Sequence, residues 1–246
     1  MKVLRSVYVD CSEKPRDCDI VQLKHDGHFA FIVIRGGVAY HFSRSGRLVR
    51  EFALLLCDCI VLGEYITGTE RSLSHPNRGK VGLFDCLEVG PDSYFSEPYE
   101  TRKELADAIV ESYPETFFKI NQRSSSDWDE LVEQNGEEGL IYRRSGDDFD
   151  AGEVFRHKKT EDVLLSVVDF TFSDSELYGG LVKSIVGEAA DGSRTLVPGL
   201  SQALRVELTC SPELFRGRKF EAICSGRFKS GKLRHPRFKR WEGETE

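Results

Sequence analysis

Gly36-Gly37 sits between two runs of β-branched and aromatic residues, Phe29 to Arg35 and Val38 to Phe42. Two adjacent glycines between such runs commit the chain to a tight antiparallel hairpin, because the turns that match strand twist need backbone angles a Cβ resists. Ile20 to Lys24 precedes the hairpin as a further strand, and Val81 to Val89 reads as a buried one. Phe52 to Leu62, closed by Gly63, stays open between helix and strand, Leu-rich in its first half and Cys-Ile-Val in its second. Tyr99 to Ser112 carries Leu105, Ala108 and Ile109 at helical spacing and is expected as a surface helix.

Asp127 can cap a short helix through Val132, and Leu140 to Arg144 and Gly152 to Lys158 read as strands around the turn-rich Ser145 to Asp148. Beyond the charged break Thr160 to Asp162, short strands follow closely: Val163 to Phe172, Leu181 to Glu188, Arg194 to Val197, Lys219 to Gly226 and Arg237 to Trp241. Five short strands with Gly-rich turns predict a small closed or partly closed β-barrel. The expectation is an α+β chain of two domains, 1–161 and 162–246.

No apolar run approaches the ~18 residues of a membrane span. Met1 to Asp10 has neither an apolar core nor a small-residue cleavage pattern, so a cytoplasmic protein without a signal or transit peptide is expected. Seven cysteines, an odd number, argue for reduced thiols. Cys57 and Cys59 would share a face in an extended segment, yet no Cys or His pair at usable spacing completes a zinc site. A net charge of −7 disfavours a nucleic-acid partner, because phosphate neutralisation dominates that affinity. The distribution says otherwise: Arg216 to Trp241 holds ten Lys or Arg and one acid, Glu221, interleaved with Phe220, Phe228, Phe238 and Trp241. Such a stretch suits a β-domain that tracks a phosphate backbone.

Lys24-His25-Asp26-Gly27 follows the apolar Ile20 to Leu23 and opens a turn. A lysine at the end of a buried strand, between walls that reduce its hydration, can shed its proton and act as a nucleophile. An ordered series follows: Phe42-Ser43-Arg44-Ser45-Gly46, Leu62-Gly63-Glu64-Tyr65, Leu83-Phe84-Asp85, Glu137-Glu138-Gly139-Leu140-Ile141 and Phe155-Arg156-His157-Lys158. In this order the motifs resemble those of the covalent nucleotidyltransferase superfamily of ATP-dependent ligases and capping enzymes. The ending Ser225 to Phe238 resembles that of the oligonucleotide-binding domain of ATP-dependent DNA ligases. The resemblance runs from about residue 18 to the end.

It implies a nucleotidyltransferase domain of ATP-grasp-like antiparallel sheets with helices, followed by a small OB-fold barrel. It also implies a minimal ATP-dependent DNA ligase that seals 5′-phosphate/3′-hydroxyl nicks, without room for an additional amino-terminal DNA-binding domain. By the resemblance Lys24 is the nucleophile that takes AMP from ATP, and Gln22 and Leu23 line the nucleotide site. Glu64 accepts from the ribose, Phe84 stacks on adenine, and Arg156 and Lys158 meet the α-phosphate. Glu138, with Glu64, is the carboxylate near magnesium or manganese. Arg44 receives the 5′-phosphate, and Arg143, Arg227, Lys229, Lys232, Arg234 and Arg237 contact DNA. The partners implied are ATP and nicked duplex DNA, with no membrane, and the chain acts as a monomer.

The sequence also departs from the family pattern. Phe29 stands where DNA ligases carry an arginine, Leu62 where an aspartate precedes Gly-Glu, and Arg156 where lysine is usual. The terminal Arg-x-Asp-Lys element that orients pyrophosphate is absent from its register after Trp241, with Arg237 and Arg240 nearby. An RNA ligase of the same superfamily, suggested by Gly63 to Gly68 and by Phe29, and a non-catalytic nucleic-acid-binding relative are the alternative readings.

Overall fold

The structure, a computed structural model, describes residues 8–11, 13–67, 75–127, 139–150, 152–158, 160–228 and 230–244. The chain divides into two compact units, Met1–Lys158 and Lys159–Glu246.

In the first unit the strands are β1 (Tyr8–Asp10), β2 (Ile20–Leu23), β3 (His28–Arg35), β4 (Val38–Phe42), β5 (Leu48–Ala53), β6 (Cys59–Tyr65), β7 (Val81–Val89) and β8 (Asp92–Ser93). Helix α1 (Tyr99–Ser112) follows, then β9 (Phe117–Lys119), β10 (Gln122–Ser124), β11 (Gly139–Arg143) and β12 (Val154–Lys158). Among the described residues they form two sheets. One runs β1-β12-β11-β2-β10, and the larger runs β5-β4-β3-β6-β7-β8 with β9 added parallel to β7.

The Gly36-Gly37 turn joins β3 to β4 as the sequence predicts, with φ of 57° and 79°. The ambiguous run Phe52 to Leu62 resolves as the end of β5, a loop and then β6. The break leaves Cys57 exposed in the loop while Cys59 is buried in the strand, so the two thiols do not share a face. Asp127 ends a 3-10 turn, Ser125–Asp127, and the rest of the short helix expected there lies outside the described residues.

Helix α1 packs Ala106, Ile109 and Val110 on one face of the larger sheet, against Ala30, Ile32, Val61, Val81 and Leu83. The opposite face carries a second apolar cluster of Leu62, Ile66, Phe84, Leu87, Phe118 and Ile120, edged by Phe29 and Phe31. The smaller sheet buries Val21, Leu140 and Tyr142 on one side. Alternation along its strands sends Gln22, Ile141 and Arg156 to the other.

The second unit is an antiparallel sheet of β13 (Glu161–Phe172), β14 (Val182–Glu188), β15 (Arg194–Val197), β16 (Lys219–Cys224) and β17 (Arg237–Trp241), in the order β15-β14-β13-β16-β17. The Phe238 N–H donates to the Pro198 carbonyl at 3.0 Å, which brings the two edges together just beyond β15. Helix α2 (Gln202–Cys210), not anticipated from the sequence, is capped by Ser201, whose Oγ accepts from the Leu204 N–H at 3.2 Å. Its Leu208 enters a core with Val167, Phe215, Phe220 and Trp241. No helix among the described residues is long and apolar enough to cross a membrane.

Candidate active site

Lys24 lies one residue past β2, and its N–H donates to the Gly139 carbonyl at 2.9 Å. Gly139 is in turn paired with Lys158 across β11 and β12. Lys24, Gly139 and Lys158 therefore form one row across three strands, with no side chain in the middle position. The next row in the same direction is Gln22, Ile141 and Arg156. Two lysines and an arginine thus line one sheet face around a gap left by a glycine.

That gap is enforced. Gly139 has φ +144°, and a Cβ there would fall 2.0 Å from the His157 carbonyl oxygen. Gly139→Ala is expected to destabilise the protein by about 2–3 kcal/mol through strain and displaced strand pairing. Gly146→Ala, where no heavy atom would lie within 4 Å, is expected to stay within about 0.5 kcal/mol. Chemical denaturation of the two variants checks this, and equal midpoints would refute the steric account.

The facing wall comes from the larger sheet. Phe84 is buried in the apolar cluster, and the Phe29 ring centroid stands 6.4 Å from its own. A single hydroxyl joins the two sheets: Gln22 Nε2 donates to the Tyr99 hydroxyl at 2.7 Å, and that hydroxyl donates to the Phe84 carbonyl at 2.9 Å. Burial pushes the Tyr99 phenol up to about 12, which keeps the donating proton in place. Tyr99 lies 77 residues from Gln22, and no sequence signal marked it. Glu64, half-buried on β6, lies against the turn after Lys24: a Cβ on Gly27 would meet Glu64 Cγ at 2.8 Å. Glycine at position 27 is what lets the turn after Lys24 approach the strand that carries Glu64.

His25 packs between the His75 and Phe118 rings, with centroids at 5.4 and 5.5 Å. Burial first, then His75 and Lys24, push its imidazole down to about 4, so it is neutral near pH 7 and adds no charge beside Lys24.

Other expected site residues are placed as follows. Leu23 is half-buried against the smaller sheet's core, and Glu138 lies outside the described residues. Arg156 is held by Asp10, with Nε and an NH2 group each 2.7 Å from one carboxylate oxygen. Arg44 is exposed on the turn after β4. Arg143, expected at DNA, is instead buried, its guanidinium 5.3 Å from the Phe84 ring centroid and 4.7 Å from that of Tyr99. Its charge therefore stiffens the aromatic wall through ring faces. The apolar Leu62 is buried in the same wall.

In the second unit, Arg227, Lys232 and Arg237 are exposed, Arg234 is buried and Lys229 lies outside the described residues. The basic stretch is less positive in space than in sequence. Arg216 meets Asp169 and Glu213, Arg218 meets Glu244, Arg227 meets Glu161, Lys239 meets Asp162, and Arg240 meets Glu221. Exposed and partly exposed pairs of this kind are weak and open readily to a competing phosphate.

No protein-family model and no curated protein matches the sequence. Solved structures do match. The chain is similar to one described as Pmar-Lig_PreS3, with a TM-score of 0.69 and 18% identity over 92% of this chain. It spans 64% of that protein's length. It is also similar to a Lig E DNA ligase described as binding DNA with a minimal scaffold, at TM-score 0.66 and 17% identity over 92% of this chain and 93% of that one. The ligase domain of LigD from M. tuberculosis matches at TM-score 0.52 and 12% identity over 97% and 95%. The fold is that of DNA ligases, which agrees with the motif resemblance read from the sequence.

Proposed function

We propose that the chain is an ATP-dependent DNA ligase that seals 5′-phosphate/3′-hydroxyl nicks in duplex DNA through a lysyl-AMP on Lys24. The observation that carries the reading is the row Lys24, Gly139 and Lys158, with Arg156 behind it and Phe84 and Glu64 on the facing wall. A nucleophilic amine, two further cations and an empty middle position suit a triphosphate more than any apolar ligand. A structure described as mycobacterial DNA ligase D complexed with ATP, at TM-score 0.50 and 12% identity, has the same fold.

In the first step the Lys24 nitrogen bonds to the α-phosphorus of ATP, the bond to the β-phosphate oxygen breaks, pyrophosphate leaves and the amine gives up a proton. The adenylate then passes to the 5′-phosphate of the nick, freeing Lys24. Finally the 3′-hydroxyl oxygen attacks that phosphate and AMP departs. Phosphoryl transfer is chiefly positioning and charge neutralisation. Lys158 and Arg156 supply cations along the phosphate path, and the Phe84 ring supplies an apolar face for adenine. Glu64, pressed against the nucleophile turn, is an oxygen donor of the type magnesium takes, and Glu138 would be its companion. The metal would neutralise phosphate charge as the leaving oxygen develops. In this reading the first unit is the nucleotidyltransferase domain, and the second is an OB-fold barrel that presents Arg227, Lys232 and Arg237 to the DNA backbone.

The test is sealing of end-labelled nicked duplexes, with DNA or RNA strands flanking the break, in ATP and magnesium. Product on the all-DNA duplex at the highest rate is the expected result. Sealing confined to RNA-flanked nicks would move the assignment to an RNA ligase, and no sealing with no protein-bound AMP would move it to a binding protein.

A further inference from the structure

Strand β1 extends the smaller sheet by pairing parallel to β12, with Tyr8 opposite Val154 and Asp10 opposite Arg156. Alternation puts the Tyr8 and Asp10 side chains on one face and Val9 on the other. Two guanidiniums converge there from distant parts of the chain. Arg156 Cζ lies 5.3 Å from the Tyr8 ring centroid while Asp10 holds the group from the side. Arg44 Cζ also lies 5.3 Å from the Tyr8 centroid, and 5.1 Å from that of Phe29.

One ring is thus shared by two cations. Arg44 is exposed, and among the described residues no carboxylate pairs with it. An arginine on an exposed turn would ordinarily sample many rotamers. A ring face restrains a guanidinium through its quadrupole while leaving the N–H donors at the edge free to point outward. Planar donors held in this way match the oxygens of a phosphate. Asp10 offsets one of the two positive charges, and the excess left at Arg44 is what an incoming anion relieves.

We propose that Tyr8 is a positioning residue: together with Phe29 it holds Arg44 beside Arg156, so that strand β1 completes the subsite for the terminal 5′-phosphate of a nicked strand. The proposal rests on the ligase reading. It also gives the departure at position 29 a purpose, because Phe29 contributes a second ring face to Arg44 in place of a charge of its own.

The test compares binding of a 5′-phosphate nick with that of a 5′-hydroxyl nick to adenylated protein, without divalent cation so that nothing is sealed. Wild type and Tyr8→Phe are expected to prefer the phosphate by the same ratio. Tyr8→Leu is expected to lower that ratio about twofold to fivefold, the scale of the one cation–π contact that Arg44 loses. Labelling of Lys24 by ATP should persist in Tyr8→Leu, because Asp10 still holds Arg156. A wild-type ratio in labelled Tyr8→Leu overturns the proposal, as does a Tyr8→Phe ratio as low as that of Tyr8→Leu, which would assign the effect to the hydroxyl. Should Tyr8→Leu fail to label, Arg44→Lys carries the test: it keeps the charge but loses the plane that stacks, and a wild-type ratio in it overturns the proposal. A wild-type protein that neither labels nor discriminates overturns the ligase reading itself, and that result is read without any Tyr8 variant.

Discussion

Lys24→Ala incubated with α-labelled ATP and magnesium will carry no protein-bound label, a loss of at least about 10³-fold against wild type. The wild-type label will survive alkali and yield to acid and to acidic hydroxylamine, as a phosphoramidate does. The residue sits at the end of a strand buried by Ile20, Val21 and Gln22, and its backbone is fixed to Gly139. Shortening its side chain therefore removes the nucleophile and leaves the ladder intact. Lys158→Ala is the informative comparison. It removes a charge that neutralises the phosphate but forms no bond to phosphorus, so labelling should fall by about 10²-fold to 10³-fold and remain measurable. If Lys24→Ala kept its label, the amine would lie elsewhere and the row across β2, β11 and β12 would have no catalytic meaning.

What could be read from the sequence was what neighbouring residues decide among themselves. The turn at Gly36-Gly37, the strand at Val81–Val89, the helix at Tyr99–Ser112 and the strand at Arg237–Trp241 have local signals, and all four are present. The order of the motifs around Lys24, Glu64, Phe84 and Arg156 likewise pointed to the fold that solved DNA ligases share. Hidden from the sequence were the pairings that only the fold makes. Three residues of β1 are too few to carry a periodic pattern, and they are held there by β12, more than a hundred residues away. The resemblance assigns Arg143 and Arg234 to DNA contact, and the fold buries both, a burial set by neighbours distant in the chain. The basic stretch from Arg216 to Trp241 looked unopposed because Glu161, Asp162 and Asp169, which neutralise three of its cations, lie on a strand far earlier in the chain.

The largest expected loss of stability comes from a residue with no place in the motif series. Arg102 and Asp85 are both buried, with Nε donating to Oδ1 at 2.8 Å and an NH2 group to Oδ2 at 3.4 Å. The Arg102 guanidinium also donates to the Glu97 carbonyl and, at 3.2 Å, to that of Asp147. Asp85 accepts in addition from the Cys86 N–H at 3.0 Å. Arg102→Met keeps much of the apolar stem but leaves a buried carboxylate without its cation, and removing one member of such a pair destabilises by about 3–5 kcal/mol. For a chain of this size that is a fall of about 10 °C in the thermal midpoint. The Asp85→Asn/Arg102→Met double variant should recover part of the loss, because the uncompensated charge is gone while an amide oxygen can still accept from Cys86. A drop below about 1 kcal/mol in Arg102→Met would show that the pair is dispensable. The pair also reaches the site. Tyr99 and Arg102, one turn apart at the start of α1, grip β7 at consecutive residues, the hydroxyl at the Phe84 carbonyl and the guanidinium at the Asp85 carboxylate. Loosening the second grip frees the strand that presents the Phe84 ring. The surviving folded fraction of Arg102→Met should therefore need more ATP to reach half-maximal labelling of Lys24, whereas a purely structural pair would reduce the amount of labelled protein and leave that concentration unchanged.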